Sequence, residues 1–268
     1  MVLRKSEAYN SCNNEKVWND NAELWIEVTE NGFDVYRNHI NTPRFIKMLP
    51  DIRGRYGLDV GCGTGYNTRL LAQKGSRMVG TDISGSLIHF SQQKEIQDPL
   101  NIEYIKCDAI NLPFMNESFD FICSFQCLMD IQEYEKALAE IYRVLKKNGF
   151  LQFSIPHPCF WSTELEWVYD GHGEKRGVVC ADYFSSLEQG VVKWMFEGVN
   201  KDTLPEKKLF QTITFRRSLT DWTKAIVQSG FLIEALEEPR PSEEVIEKFP
   251  DWKGCKIVPY SLIFRCRK

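Results

Sequence analysis

The sequence predicts an α/β fold built on a mostly parallel sheet with helices on its faces. From Arg55 onward, short apolar runs alternate with segments of helical period, the rhythm of strands joined by crossover helices. Between two of those runs, Ala137, Leu138, Ile141, Val144 and Leu145 recur at i, i+1, i+4, i+7 and i+8, one apolar helix face that Asn148 and Gly149 stop. The first run opens GLDVGCGTGY, residues 57–66, where four glycines and one acidic residue share ten positions before a helix that begins near Asn67.

The elements follow in chain order. Residues 1–50 have no strand rhythm, and the spacing of Trp18, Leu24, Trp25, Val28 and Phe33 predicts an N-terminal helical cap. Residues 51–156 carry strands expected at 57–60, 78–81, 102–106, 119–124 and 150–155. After Pro156 the rhythm breaks. Residues 157–217 form an insert rich in aromatics, among them Trp161, Trp167, Tyr169, Tyr183, Phe184, Trp194 and Phe196, read as a lid over the core. Those side chains are expected to build the small core of their own segment, with a closed apolar pocket for a cation as the alternative. The rhythm resumes over 218–268 with a helix at 220–229, closed by Gly230, and strands at 231–236 and 260–265, seven strands in all.

Composition narrows the function. A chain of 268 residues with 43% hydrophobic and 26% charged residues has room for a large core. The net charge of -4 gives no general attraction for a phosphate backbone, so no nucleic-acid partner is expected. No apolar run approaches the roughly 20 residues of a membrane helix, and a cytoplasmic location without a membrane partner is the expectation. Nine cysteines without a CxxC pair read as free thiols, and no metal site is expected.

The glycine loop narrows it further. Its spacing is Asp59-x-Gly61-x-Gly63-x-Gly65 rather than G-x-G-x-x-G, and the carboxylate sits at the strand end itself. A pyrophosphate beside that carboxylate would be repelled, whereas an ammonium or sulfonium would be attracted. Asp82 ends the second strand, 21 residues beyond Gly61 (82 minus 61), where a carboxylate accepts from both ribose hydroxyls; that reading serves NAD equally well. Asp108 closes the third strand, where a carboxylate accepts from an adenine amine.

With those residues in place, the sequence resembles the class I S-adenosylmethionine-dependent methyltransferases, closely over 55–155 and more loosely to the C-terminus. LDVGCGTG, GTDIS, CDAINLPF, FDFICSFQCL and RVLKKNGFLQFS are similar to that family's successive motifs, in order, and the pattern is most similar to the small-molecule branch related to ubiquinone biosynthesis. The resemblance implies a Rossmann-like sheet of order 3-2-1-4-5-7-6 with the last strand antiparallel. It implies S-adenosylmethionine as cofactor, its methionine part held at Asp59, Gly61, Cys62 and Gly63. Asp82 would take the ribose, Ile83 would pack on the adenine, and Asp108 with Ala109 would read its edge. Ser124, Phe125 and Gln126 would line the methionine and the transferring methyl. Ser124-Phe125-Gln126-Cys127 replaces the Asn/Asp-Pro-Pro-Tyr/Phe signature of enzymes acting on planar nitrogens, which argues against DNA adenine or protein glutamine as substrate.

The acceptor is expected to be a small molecule at the ends of the fourth and fifth strands. His157, in SIPHPCFW at the end of the fifth strand, is the candidate general base; its structural alternative is a loop histidine satisfied by the main chain. His89 and His172 are weaker candidates. Tyr36 and Arg37 are candidates for the cofactor's carboxylate, against an exposed helical arginine. Lys207, Lys208, Arg216 and Arg217 read as solvated rims. Two rival readings stand beside a methyltransferase: a non-catalytic S-adenosylmethionine-binding protein and an NAD(P)-dependent oxidoreductase. The sequence leaves the oligomeric state open.

Overall fold

In the computed structural model, residues 4–5, 11–160, 166–181, 183–184, 190–196, 199 and 209–268 are described. Trp161, Lys207 and Lys208 lie outside them. The central sheet has seven strands: β1 Tyr56–Val60, β2 Arg77–Asp82, β3 Glu103–Lys106, β4 Phe119–Phe125, β5 Leu145–Pro156, β6 Leu232–Glu237 and β7 Ser261–Arg267. Their order is 3-2-1-4-5-7-6. β7 runs antiparallel to both neighbours and the pairs among β1 to β5 are parallel. This is the Rossmann-like sheet that the motifs imply.

Strands buried on both faces read as continuous apolar runs. One face carries Leu58, Val60, Ile122, Phe153 and Phe264, packed against α5 (Tyr134–Val144) and α6 (Leu219–Gln228) through Leu138, Ile141, Trp222 and Ile226. The other carries Phe121, Cys123, Phe125 and Ile263, covered by α2 (Thr42–Met48), α3 (Tyr66–Gln73) and α4 (Gly85–Gln97) through Phe45, Leu71 and Ile88. α6 starts in a capping box, with Ser218 and Asp221 bonded reciprocally, and Ser84 caps α4. Helix α5 ends at Val144, and β5 starts at once at Leu145, five residues before the expected strand; Asn148, at φ +62, sits inside this longer strand instead of closing the helix.

Ahead of the core, α1 (Ser11–Glu30) lies against α4 and is followed by a π-helical turn, Arg37–Asn41. Within the insert, Glu166–Tyr169 pairs with Lys175–Val179 as an antiparallel hairpin, and Gly190–Trp194 pairs with Phe210–Thr214. Trp25 of α1 packs edge-on to Trp194 and Phe210 at 6.1 and 5.3 Å between centroids, so α1 and the insert share one small core. A final short helix, α7 (Glu243–Lys248), precedes β7. No helix among the described residues is long and apolar enough to cross a membrane.

Candidate functional site

The C-terminal edges of β1, β2 and β4 meet at the glycine loop. Gly61 and Gly65 have φ of +75° and +77°, a region that residues with a Cβ rarely adopt. A methyl group on Gly61 would lie 2.1 Å from Cys127 Sγ, so the loop after β4 presses directly on the glycine turn. The amides of Gly61 and Cys62 donate to the Thr81 carbonyl (2.8 and 2.9 Å), that of Gly65 to the Cys62 carbonyl, and that of Gly63 to Asp82 Oδ2 (2.9 Å). Those four amides are therefore spent within the protein. A pyrophosphate needs free amides here, which tells against the dinucleotide alternative.

Each acidic residue has a distinct setting. Asp59 is fully buried; its Oδ2 accepts from Thr68 Oγ1 at 2.6 Å, and its Oδ1 has no partner. Burial pushes its carboxyl up to about 7, with Asp82 adding to the rise and Thr68 opposing it. Asp82 accepts from Gly63 N and Ser84 N, and burial raises its carboxyl against the pull of those amides. Asp108 is half-buried and its Oδ1 accepts from Ile110 N at 3.1 Å, beside half-buried Ala109; Ile83 is half-buried next to Asp82. The Cys62 side chain points into the apolar face with Ile88 and Tyr104, so this residue can offer a ligand only its backbone.

At the end of β4, Phe125 stacks on Phe45 at 3.9 Å between centroids, which fixes the start of the following loop. Ser124 Oγ is buried beside the Cys127 thiol, and Gln126 Nε2 is buried with no partner. Burial and the carboxylates of Asp82, Asp130 and Asp59 push the Cys127 thiol well above its ordinary range, so it stays protonated. Asp130 is half-buried three residues further on, pushed up to about 8 by burial while Arg217 pulls it back. Asn14 of α1 donates to the Asp130 carbonyl and leaves its own Oδ1 buried without a partner. Such orphaned atoms are costly unless a ligand meets them. Trp25 covers the spot, its Nε1 3.8 Å from where a Cβ on Gly63 would lie. A buried carboxylate oxygen, an amide donor and a glycine cradle fit an amino-acid-bearing nucleoside.

Four residues singled out in the sequence are placed differently. His157 is buried, but its Nδ1 accepts from Cys159 N (3.2 Å) and its Nε2 lies 3.1 Å from Glu238 Oε1 beyond β6. Burial lowers its pKa against the pull of Glu238. Its ring is thus satisfied by a main-chain amide and a carboxylate, and it borders a cavity of about 680 Å³ with Arg44, Phe160, Leu219 and Leu236 that includes none of the glycine-loop residues. Arg37 is no exposed helical arginine. Its guanidinium lies 4.2 Å over the Tyr66 ring, at the first residue of α3, and bonds Asn38 Oδ1 with Asp34 at 3.7 Å. Tyr36 turns to Ser261 (2.6 Å). Arg217, expected as a solvated rim, is instead a clamp: it donates to the carbonyls of Met129, Ile131 and Gln132 and stacks 4.0 Å over Tyr134. Cys127, Asp130, Asn14 and Arg217 escaped the sequence reading, because the contacts that give them roles join segments far apart in the chain.

The sheet order defines the class: a Rossmann-like fold of the kind found in class I methyltransferases, with the acidic glycine loop at its strand edge. Residues 58–153 match the family model described as a methyltransferase domain. The chain is similar to the ubiquinone/menaquinone biosynthesis C-methyltransferase UbiE of Vibrio vulnificus, 34% identical over 44% of this chain and 47% of that protein. It is also similar to the malonyl-[acyl-carrier protein] O-methyltransferase of Hamiltonella defensa, 30% identical over 41% and 42%. The alignments thus span somewhat under half the length of these relatives. Among solved structures, an S-adenosylmethionine-dependent methyltransferase from Mesorhizobium loti superposes with a TM-score of 0.69 at 23% identity, over 84% of this chain and 96% of that one. The ubiquinone-related methyltransferases that the motifs resemble are thus among the proteins this chain is similar to.

Proposed function

We propose that this protein transfers the sulfonium methyl of S-adenosylmethionine to a small-molecule acceptor held between the sheet edge and an aromatic cover. The single observation that carries the reading is the buried, unpartnered Asp59 Oδ1 at the front of the glycine loop, with Gln126 Nε2 after β4 and Asn14 Oδ1 of α1 likewise buried and unpartnered. In this reading residues 1–50 are the cap, 51–156 and 218–268 the core, and 157–217 the lid. Asp59 takes the cofactor's ammonium, with the loop at Gly61, Cys62 and Gly63 beneath the methionine. Asp82 takes the ribose hydroxyls, Ile83 packs on the adenine, and Asp108 and Ala109 read its edge. Ser124, Phe125 and Gln126 line the methyl, and Arg37 holds Tyr66 against the loop.

When bound, S-adenosylmethionine supplies an already electrophilic methyl, so the chain's work is alignment and exclusion of water. Trp25 with Trp194, Phe196 and Phe210 supplies an apolar ceiling, whose aromatic faces favour a cation. Asp130 and Cys127 stand where the acceptor would approach. His157, with both ring nitrogens engaged, serves in this reading as a structural residue beside the separate cavity of Arg44 and Leu236, and it acts as a base only by releasing the Cys159 amide. Calorimetry with S-adenosylmethionine and NADH, followed by transfer of labelled methyl to a panel of phenolic, enolic and carboxylic acceptors, tests the proposal. Micromolar binding of S-adenosylmethionine with methyl transfer to one acceptor class is expected, roughly -8 kcal/mol of binding. Binding of NADH alone would overturn it.

A further inference from the structure

A buried polar chain runs from the π-helical turn to the end of β4. Asn41 is 1% exposed, on the sheet face that also carries Phe45, Phe125, Ile263 and buried Gln152. Its Nδ2 donates to Ser154 Oγ at 3.1 Å, and its Oδ1 accepts from Ser261 Oγ at 3.2 Å. Ser261 in turn meets Tyr36 Oη at 2.6 Å. An amide and three hydroxyls are costly among phenyl rings, and packing alone would favour apolar residues there. Ser154 carries the chain onward, since its carbonyl and its Oγ both accept from Gln126 N, at 3.0 and 3.3 Å. Gln126 has a φ of +51°, a backbone state that persists for a non-glycine residue only where its surroundings over-determine it. At the end of this chain stands the buried, unpartnered Gln126 Nε2.

Two of the buried atoms without a partner, one on β1 and one just past the neighbouring β4, are of opposite kind. Asp59 Oδ1 within β1 is an acceptor, and Gln126 Nε2 just after β4 is a donor. An α-amino acid zwitterion offers an ammonium to the first and a carboxylate to the second, whereas a nucleoside beside Asp82 and Asp108 would meet neither. We infer that Asn41, acting through Ser154, is a positioning residue that holds the Gln126 amide as the donor for the carboxylate of the cofactor's amino-acid end. This rests on the cofactor reading above.

The test uses two ligands on the whole chain: S-adenosylhomocysteine, and 5′-methylthioadenosine, which lacks the amino-acid end. Calorimetry of Asn41→Ala and Gln126→Ala is expected to give affinities for S-adenosylhomocysteine lower by about 5- to 20-fold, with 5′-methylthioadenosine changed by less than about twofold. The double variant Asn41→Ala/Gln126→Ala is expected to bind S-adenosylhomocysteine no more weakly than Gln126→Ala alone, because one residue acts through the other. Retained binding of 5′-methylthioadenosine shows that a variant is folded. If Asn41→Ala does not fold, Ser154→Ala removes only the hydroxyl and is expected to show the same split at about two- to five-fold. Equal losses for both ligands, additive losses in the double variant, or no loss would overturn the inference. Wild-type protein that bound neither ligand would remove the cofactor reading itself, and the inference with it.

Discussion

Asp59 shows how one side chain exchanges stability for a site. Its carboxylate is taken from water, receives one hydroxyl from Thr68, and keeps a lone oxygen for which the protein provides nothing. Burial, the main cause, raises its pKa to about 7, so at neutral pH much of it is held protonated at a cost to folding. Asn at this position keeps an acceptor for Thr68 and carries no charge. Asp59→Asn is therefore expected to raise the melting temperature at pH 8 by a few degrees, roughly 1 kcal/mol for a chain of this size. If Asp59 takes the cofactor's ammonium as proposed, the same change is expected to weaken S-adenosylmethionine by at least about tenfold, through loss of a charge-assisted hydrogen bond. Scanning calorimetry and binding titration on one sample read both, and a variant that gained affinity would contradict the role.

At the scale of elements, the loop after β4 is held from outside its own segment. Arg217, just past the strand Phe210–Thr214, donates to three successive stretches of that loop's backbone, at Met129, Ile131 and Gln132, and lies over Tyr134. Burial lowers its pKa to about 10, still far above neutrality, so it remains charged. Lysine has neither the fork nor the flat stacking face. Arg217→Lys is expected to cost about 1–3 kcal/mol through carbonyls left unpaired, and to speed proteolysis within 126–133 more than global unfolding does. Uniform cleavage along the chain would count against the clamp.

Legibility divided along the same line. The α5 stripe and the apolar runs of β1, β2 and β4 were readable because burial on one helix face, or on both strand faces, leaves a local period. Asp59 and Asp82 were readable because their offsets from Gly61 are local as well. The early start of β5 was not, since Lys146, Lys147 and Asn148 look like a turn until β7 pairs with the strand beyond them. Nor was Arg217, whose partners lie over 80 residues away and which looks in sequence like any solvated pair. The π turn leaves no period at all, so Asn41 is visible only once Ser154 and Ser261 stand beside it.

Across the described residues, three of the four carboxyls raised by burial are gathered at one place, while the fourth, Asp34, lies beside Arg37. Asp59, at about 7, Asp82, raised, and Asp130, at about 8, all surround the Cys127 thiol, while the acids near the remaining surface, such as Asp120, Glu140 and Glu234, are lowered by arginine or lysine partners or by backbone amides. A carboxyl raised on folding contributes stability that is complete below its unfolded value near 4 and is lost as pH rises through its folded value. The ligand-free protein is therefore expected to lose stability between about pH 5 and 8 on account of these groups. A cation bound among them reverses the sign locally: it favours the ionised carboxylates, expels protons, and binds more tightly as pH rises over the same interval. At fixed S-adenosylmethionine, the ligand-induced rise in melting temperature should thus be larger at pH 7.5 than at pH 5.5. At 100 times the dissociation constant the stabilisation is about 2.7 kcal/mol, or roughly 5–10 °C for a chain of this length. Differential scanning fluorimetry across pH, with Asp59→Asn as the control expected to flatten the trend, measures it directly. A shift that was independent of pH in the wild-type protein would mean that the cofactor's charge is met elsewhere than at this cluster.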